Sequence, residues 1–349
     1  MKEKSCNKKY ILILELVIII FLMVIMFNQI NLYKMFSKYK PDNNSKNNEV
    51  YHNSHFKLKL ESAYGDNQAY HPKVLNFNNK WNGYKYWLTF SPYPNGNDEK
   101  ENPHIKVSND LINWNDPNGF NNPLVDTPID YKHQFVYNSD PHLVYNHDTD
   151  TLECYYRYVN DLKDQVIIYR LSTKDGINWT EKEEILISKR SKKDYISPAI
   201  IYENNVYKMW YVDKDRSLKY MESNDGYNYK NERTIYLKYP LSNLINWHID
   251  VIKTTNGYEL ITVAYKSWKD RNSMNLYYFK SEDNIKYTKG ITILRPSIKS
   301  WDNRGIYRSS FIYEDGVYYV FYSAVRDNFE RGVGLSYGKE IDNLIGKDQ

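Results

Sequence analysis

The sequence predicts an all-β protein, a five-bladed β-propeller that follows a single N-terminal transmembrane helix. Three observations predict the propeller. The chain contains 36 Tyr in 349 residues and is 16% aromatic; Tyr and Ile favour strands, whereas Asn, Asp and Gly favour turns. A two-strand unit recurs five times along the chain, and a short Asp-containing turn recurs between the units.

Each copy of the two-strand unit consists of an apolar strand, a turn and a strand rich in Tyr or Trp. The copies begin near residues 71, 140, 197, 248 and 308. Copies of such a unit at intervals of about 50 to 70 residues are typical of propeller blades. A β-sandwich also contains many short strands, but it does not repeat this fixed order. We therefore expect the propeller over residues 54–345.

The turn motif has Ser, then Asp, then an aromatic residue. It reads "SNDLINW" at 108–114, "STKDGINW" at 172–179, "SNDGYNY" at 223–229 and "SEDNIKY" at 281–287. Asn, Asp and Gly suit tight turns because their side chains bond the local backbone or tolerate left-handed conformations. We expect a strand that ends in a turn, with the aromatic residue covering that turn against its own blade.

The N-terminal segment is predicted to be an uncleaved signal anchor over residues 11–32. The run "ILILELVIIIFLMVIMF" is nearly all apolar, and with the residues that follow it reaches the roughly 20 residues needed to span a bilayer. Lysines in residues 1–10 favour a cytoplasmic N-terminus. A cleaved signal peptide is the alternative, but no small-residue cleavage site follows the run.

The rest of the chain is consequently expected outside the cytoplasm, on the extracellular side of the cell membrane. Residues 33–53 are rich in Asn, Lys, Ser and Asp and are predicted to be a flexible tether. The net charge of +4 is spread along the chain. No basic stripe is present, which argues against a nucleic-acid partner. Cys6 and Cys154 lie on opposite sides of the predicted membrane segment and are not expected to pair.

The first residues of the five units are predicted to meet at one mouth of the propeller channel. In a propeller the innermost strand of each blade runs along the central axis. Polar side chains lead all five apolar strands, and they are His71, Asp140, Ser197, His248 with Asp250, and Arg308. Polar groups directed to one place cost desolvation free energy unless they are used there. We therefore expect a polar pocket at this mouth.

The pattern resembles the five-bladed propeller glycosidases of the glycoside hydrolase family 43 type and their relatives. The segments "SDPHLVY", "SPAIIYENNVYKMWY", "IDVIKTTNGYEL" and "IYEDGVYYVFYSA" are similar to four characteristic strands of that family. The resemblance covers most of residues 55–340. It implies that Asp140 is the general base and that Asp250 orients and tunes the general acid. Hydrolysis through an oxocarbenium-like transition state requires one group to protonate the leaving oxygen and another to activate water.

The sequence departs from the family at the general acid. The family's Glu corresponds to a position at or beside Arg308, and no Glu is present there. Arg cannot be deprotonated usefully and cannot replace an acid, but its planar fork suits an anionic substrate group. Glu101 is the substitute acid that we predict, although a solvated loop charge is its alternative. Asp194 is a weaker candidate.

The remaining site predictions concern substrate contacts and cofactors. The predicted substrate-binding residues are His71, His142, Trp247, His248, Trp301, Tyr307 and Arg308. Trp81 and Trp87 are further candidates for stacking on a sugar ring. No cofactor is expected. The alternative is a calcium ion, which resembling enzymes hold in the channel and which the pairs "DPH" and "HID" would ligate.

The predicted function is that of a membrane-anchored extracellular glycoside hydrolase with a carbohydrate ligand. The alternative is a catalytically silent carbohydrate-binding propeller that serves polysaccharide assembly or attachment at the cell surface. The absent Glu favours this alternative.

Overall fold

A computed structural model describes residues 52–347 of the chain and, apart from them, Met23, which is helical. Apart from Met23, the predicted membrane anchor over residues 11–32 lies outside the described residues, and so does nearly all of the predicted tether. None of the helices that can be described is both long and apolar enough to cross a membrane.

The strands form five antiparallel sheets arranged as the blades of a propeller, so the predicted five-bladed β-propeller is confirmed. Blade 1 has three strands and the others have four. In chain order they are β1 (Ala69–Trp81), β2 (Tyr84–Pro92) and β3 (His104–Ser108); β4 (Val136–Asn146), β5 (Thr151–Asn160), β6 (Gln165–Thr173) and β7 (Glu183–Lys189); β8 (Ile196–Glu203), β9 (Val206–Val212), β10 (Leu218–Ser223) and β11 (Lys230–Ile235); β12 (Ile245–Thr254), β13 (Gly257–Tyr265), β14 (Asn275–Ser281) and β15 (Ile291–Leu294); β16 (Gly305–Glu314), β17 (Val317–Val325), β18 (Arg331–Gly338) and β19 (Ile345–Gly346).

Four short 3₁₀ segments occupy three of the connections in the described part of the chain. They span Pro94–Gly96, Asp98–Lys100, Asp161–Lys163 and Trp268–Asp270. The loops that contain them follow the second strand of blades 1, 2 and 4. Because the second strand is antiparallel to the first, these loops lie at the end of the propeller where the inner strands begin.

The ring closes where β1 packs against β16. Residues that precede blade 1 bind blade 5. The amide of Leu58 donates to the Val333 carbonyl at 2.7 Å, and the amide of Ser54 donates to the Tyr322 hydroxyl at 2.9 Å. Closure leaves the first and last blades without a free face, which is how a propeller buries its apolar surface.

The recurring turn forms as predicted. In the first copy Asp110 Oδ1 accepts hydrogen bonds from the amides of Ile112 and Asn113 at 2.9 and 2.8 Å. Asp175, Asp225 and Asp283 accept from the backbone in the same way. The Trp114 ring is buried and donates to the Leu111 carbonyl at 2.9 Å, so the aromatic residue covers its own turn.

Tyrosine–glutamate bonds join four of the five pairs of neighbouring blades. In each case the tyrosine is near the start of the second strand of one blade, and it donates to a glutamate of the preceding blade. The pairs are Tyr207–Glu153 at 2.8 Å, Tyr258–Glu203 at 2.9 Å, Tyr318–Glu259 at 2.8 Å and Tyr86–Glu314 at 2.6 Å. At the junction of blades 1 and 2, Trp81 Nε1 instead donates to Asp150 at 2.8 Å. These bonds explain part of the high tyrosine content.

Replacing Tyr86 with phenylalanine is expected to lower the free energy of unfolding by about 1–3 kcal/mol. The substitution leaves Oε2 of the buried Glu314 without its hydroxyl donor, while Lys85 still pairs with Oε1. An unsatisfied buried polar atom costs about that much. Urea unfolding of the two proteins measures the difference. Tyr236→Phe is the matched control because Tyr236 is exposed; an equal loss in both variants would contradict the blade-joining role of the Tyr86 hydroxyl.

Candidate functional site

A β-bulge interrupts the first strand of every blade at the equivalent place. The pairing registers shift between Tyr70 and Lys73, Ser139 and His142, Ile196 and Ala199, Asn246 and Ile249, and Ile306 and Ser309. A bulge redirects a side chain and is common beside active sites. The bulged residues are the polar strand openers that the sequence indicates.

Three of the bulges place a non-glycine residue in the left-handed region. His71, Asp140 and Ser197 have φ of 50°, 52° and 54°, and each precedes a proline. Such a conformation is strained for a residue with a Cβ and persists where surrounding contacts hold it, often at functional sites. The three residues lie in neighbouring blades, at the mouth of the channel.

His71, Asp140 and His248 converge on one point. One ligating atom from each lies within 4.8 Å of the others, and all three side chains are buried. Asp140 Oδ1 is 3.5 Å from His248 Nδ1 and 3.4 Å from Arg308 Nη1, while its Oδ2 accepts from the Ser197 amide at 3.2 Å. We call His71, Asp140 and His248 the mouth triad.

The mouth triad combines an ionised carboxylate with neutral imidazoles. Burial raises the pKa of Asp140, but positive charge around the carboxylate outweighs burial and holds that pKa below its ordinary range. With both imidazoles neutral, this charge is that of Arg308 and Arg157. Burial lowers the pKa of His71 to about 3 despite the nearby Asp140. Burial also lowers the pKa of His248 well below its ordinary value. Neutral imidazoles and an ionised carboxylate are the forms that ligate metals.

The triad offers side chains of the kinds that ligate divalent metals. His248 is 4% exposed, and neither of its ring nitrogens has a hydrogen-bond partner among the described residues. The Nδ1 atom of His71 is 2.9 Å from Ser91 Oγ, which fixes the ring and leaves Nε2 for a ligand. Two imidazoles and one carboxylate suit zinc and similar transition metals. Calcium prefers six to eight oxygen ligands and does not fit this set.

The sequence grouped the possible ligands differently. It paired Asp140 with His142 and His248 with Asp250, each pair along one strand. In the structure one member of each pair joins His71 from a third blade. The bulges cause this arrangement, because they direct the residue at the start of each inner strand toward its counterparts in other blades.

Glu101 lies beside His71. Its Oε1 is 3.2 Å from His71 Nδ1, and its side chain is buried rather than solvated in the loop. Burial raises the pKa of Glu101 well above its usual value, and the charges of Asp140 and Asp98 add to this effect. Glu101 consequently carries a proton at a pH at which Asp140 is ionised.

A second layer of channel residues lies two positions along each inner strand. It contains Lys73, His142, Ala199, Asp250 and Ser310, all buried. The structure places the predicted Asp250 and His142 in this layer. Asp250 Oδ1 is 2.7 Å from Lys73 Nζ, and its Oδ2 accepts from the Phe311 amide at 3.3 Å. The Ile200 amide donates to His142 Nε2 at 2.9 Å.

The second layer joins successive blades. Like Asp250 and His142, Ser310 Oγ accepts a backbone hydrogen bond from the next blade, here from the Val74 amide at 3.1 Å. A third layer is apolar and lines a cavity of about 250 Å³ at the far end of the channel, and its residues are Leu75, Val144, Ile201, Ile252 and Ile312. The same cavity is also lined by the polar side chains of Lys73, Asn76 and Lys253.

Arg308 is 1% exposed and points into the channel. Its Nη1 contacts Asp140, while its Nη2 donates to the Pro198 carbonyl at 3.3 Å and lies 3.4 Å from His142 Nδ1. The guanidinium thus neutralises the charge of Asp140 from the side of the second layer, where it also contacts His142. The role of Arg308 as a substrate anchor stays a prediction.

Aromatic rings surround the mouth triad. Tyr307 lies 4.5 Å from the His248 ring and stacks on Tyr70 at 4.6 Å. Trp247 Nε1 donates to the Tyr307 hydroxyl at 2.8 Å. Tyr93 lies 6.5 Å from the His71 ring. Tyr307 and Trp247 were singled out from the sequence and are placed at the mouth.

The other tryptophans lie elsewhere. Trp301 donates to the Ser54 carbonyl at 3.1 Å and stacks on Tyr322, so it packs against the segment that closes the ring. Trp81 and Trp87 are buried in the core of blades 1 and 2. These contacts are a correction to the expectation that the three rings stack on a sugar at the mouth.

The sequence did not identify Ser91 and Arg157 as site residues. Ser91 holds His71, and the buried Arg157 donates to Ser139 at 3.2 Å and pairs with Asp194. This ion pair places Asp194 in a fixed structural contact. Ser91 lies at the end of β2, the strand that runs back to the mouth. A polar residue at that end of a second strand is the sequence feature that could have identified it.

No protein-family model matches the sequence. The A type blood N-acetyl-alpha-D-galactosamine deacetylase of Flavonifractor plautii is 27% identical over 322 residues, covering 76% of this chain and 41% of that relative. This chain spans less than half of the relative's length.

Two solved structures share the fold. One is an N-acetylgalactosamine deacetylase from F. plautii in complex with blood group B trisaccharide, with a TM-score of 0.73 and 22% identity over 84% of this chain and 97% of that chain. The other is a thermostable family-43 glycoside hydrolase, with a TM-score of 0.58 and 15% identity over 81% of this chain and 94% of that chain. The resemblance to family 43-type propellers is thus confirmed for the fold.

Proposed function

We propose that this chain is a carbohydrate-active hydrolase that removes an N-acetyl group from a sugar, with a divalent cation held by the mouth triad. The observation that carries the proposal is the buried His248 beside an ionised Asp140. Neither ring nitrogen of His248 has a hydrogen-bond partner in the described part of the chain. The similarity to a sugar deacetylase supports the choice of reaction. The predicted anchor over residues 11–32 would hold the propeller outside the cell.

The proposed reaction replaces an amide bond with an acid and an amine, with water as the co-reactant. A divalent cation at the triad would supply Lewis acidity toward the acyl oxygen. Arg308 keeps Asp140 ionised, so that the carboxylate remains a ligand. Ser91 and Glu101 both contact Nδ1 of His71. They orient the ring so that its Nε2 is left to ligate the cation. The rings of Tyr70 and Tyr307 cover His71 and His248 and exclude water from that side of the triad. Electrostatic interactions at the mouth are stronger where water is excluded.

Glycosidic bond hydrolysis is the second candidate. The opposite pKa shifts of Asp140 and Glu101 favour it, because a pair of carboxyl groups with separated pKa values is the arrangement that general acid–base catalysis requires. In this reaction Glu101 would protonate the leaving oxygen and Asp140 would activate water. The two candidates assign different tasks to the same residues.

Product analysis separates the candidates. The full chain, extracted with detergent from membranes, is incubated with N-acetylhexosamine oligosaccharides, and both acetate and new reducing ends are measured. Acetate without new reducing ends is the expected result. Reducing ends without acetate would support the glycosidase, and binding without either product would support a carbohydrate-binding module. Recovery of the chain in the soluble fraction without detergent would contradict the anchor.

Replacing Glu101 with glutamine is expected to reduce the kcat/KM of acetate release by no more than about tenfold, because glutamine keeps an oxygen beside His71 and partners of metal ligands contribute about ten- to hundredfold. Glu101→Ala is expected to cost more. A general acid would instead lose about 10²- to 10⁴-fold in either variant. Glu99→Gln, in the exposed part of the same loop, is the control.

A further inference from the structure

A group of aromatic and cationic side chains lies next to the mouth triad, on blades 3 and 4. It comprises Arg216, Trp247, Trp268 and Arg271, and we call it the arginine–tryptophan platform. Trp247 links it to the triad, because Trp247 immediately precedes His248 and donates to the Tyr307 hydroxyl. Trp247 and Trp268 meet edge to face at 5.9 Å.

Two guanidinium groups share the Trp268 ring. The Arg271 guanidinium lies 4.1 Å from the ring centroid, and the Arg216 guanidinium lies 5.9 Å from it and 4.6 Å from the Trp247 centroid. Cation–π contacts of this kind stabilise each charge. They do not neutralise it, so the platform brings two positive charges together.

No carboxylate of the described residues pairs with either guanidinium. Asp270, the nearest acid in sequence to Arg271, accepts instead from Ser267 Oγ at 2.8 Å. Arg216 Nη1 is buried and has no hydrogen-bond partner in this part of the chain. The buried Arg157 and Arg170, by contrast, each bind a carboxylate. An unneutralised pair of guanidinium groups beside a binding site attracts an anion.

The platform also presents an open aromatic surface. Trp268 is 55% exposed, whereas tryptophan is highly buried on average in folded proteins. It lies in the loop after β13, at the end of the propeller where the triad lies. A polar, charged ligand with an apolar ring face would cover this tryptophan and approach both guanidinium groups.

We propose that the platform binds a carboxylate-bearing sugar, such as a hexuronate, adjacent to the sugar whose N-acetyl group reaches the triad. This inference rests on the proposed function only for the N-acetylated sugar at the triad. Arginine is suited to the carboxylate because its fork makes two parallel hydrogen bonds. The substrate class is therefore an acidic polysaccharide that contains N-acetylated sugars.

The test compares two tetrasaccharides of equal length, one alternating N-acetylhexosamine and hexuronate and one of N-acetylhexosamine alone. The acidic tetrasaccharide is expected to have the lower KM. Arg216→Gln and Arg271→Gln are each expected to raise its KM about tenfold with little change in kcat, because a charge-assisted hydrogen bond contributes about that factor in affinity. The exposed Lys269→Gln, in the same loop, is the control. Equal KM values for both sugars in the wild type would overturn the proposal.

Calorimetric binding separates this proposal from the proposed function. The acidic tetrasaccharide is titrated into the full chain that carries His248→Leu, so that no turnover is needed, and into the same chain with Arg216→Gln or Arg271→Gln. Weaker binding in the arginine variants supports the platform even if no acetate is released from any substrate. Unchanged binding overturns it even if acetate release is found. Equal or tighter binding of a tetrasaccharide of N-acetylhexosamine alone that carries one sulfate ester would overturn the choice of a carboxylate.

Discussion

Replacing His248 with leucine is expected to reduce the kcat/KM of acetate release by more than about a hundredfold. Removing one of three metal ligands exceeds the ten- to hundredfold loss that is typical for a partner of a ligand. The measurement is acetate release from N-acetylhexosamine oligosaccharides at fixed cation concentration. His147→Leu is the control, because His147 is exposed at the turn between β4 and β5.

The same substitution is not expected to destabilise the metal-free protein. Both ring nitrogens of His248 are buried and lack hydrogen-bond partners among residues 52–347, and an unsatisfied buried polar group costs about 1–3 kcal/mol. An apolar side chain of similar size removes that cost, so urea unfolding is expected to show equal or higher stability. A large loss of stability would mean that His248 is a structural residue and would contradict its assignment as a ligand.

Replacing Asp250 with asparagine is expected to lower the free energy of unfolding by about 3–5 kcal/mol, because it leaves the buried Lys73 ammonium without its carboxylate. The pair is 2.7 Å apart and both side chains are at most 3% exposed. Asparagine retains an oxygen for the Phe311 amide, so the loss reports mainly the unpaired charge. Thermal and urea unfolding measure it.

A double variant tests this explanation. Lys73→Met combined with Asp250→Asn removes both charges and is expected to recover much of the lost stability, since replacing a whole buried pair is often nearly neutral. Glu330→Gln breaks the partly exposed pair with Lys57 and is expected to cost less than about 1 kcal/mol. If the double variant is no more stable than Asp250→Asn, the second layer does not depend on this ion pair.

The sequence predicted the parts of the fold that repeat. The five strand-pair units and the Asp turns were visible because each blade must bury an apolar inner strand and end in a tight turn. The polar residues that open the strands could be aligned for the same reason. This alignment located His71, Asp140 and His248 although more than 50 residues separate any two of them.

The sequence did not predict which polar residues would meet. Asp250 and His248 appeared equivalent because alternate residues share one face of a strand. The structure separates them by one layer, and Lys73, far away in the sequence, binds Asp250. Trp301 was misplaced for a similar reason, since its partner is the segment around Ser54 that closes the ring. Contacts between distant segments leave no local pattern.

Glu101 shows the same limit for electrostatics. In the sequence it lies in an acidic loop and resembles a solvated charge. In the structure the loop folds against β4, buries the side chain and raises its pKa. Burial by another blade decides whether this carboxyl group is ionised, and neighbouring residues in the sequence do not record it.

Metal analysis tests the central claim most directly. The full chain is purified without chelators, and its metal content is measured by mass spectrometry beside His71→Leu and His248→Leu. The proposal predicts about one equivalent of a transition metal in the wild type, none in either variant, and loss of acetate release on chelation with recovery when the metal is restored. Undiminished acetate release from protein stripped of metal would contradict it.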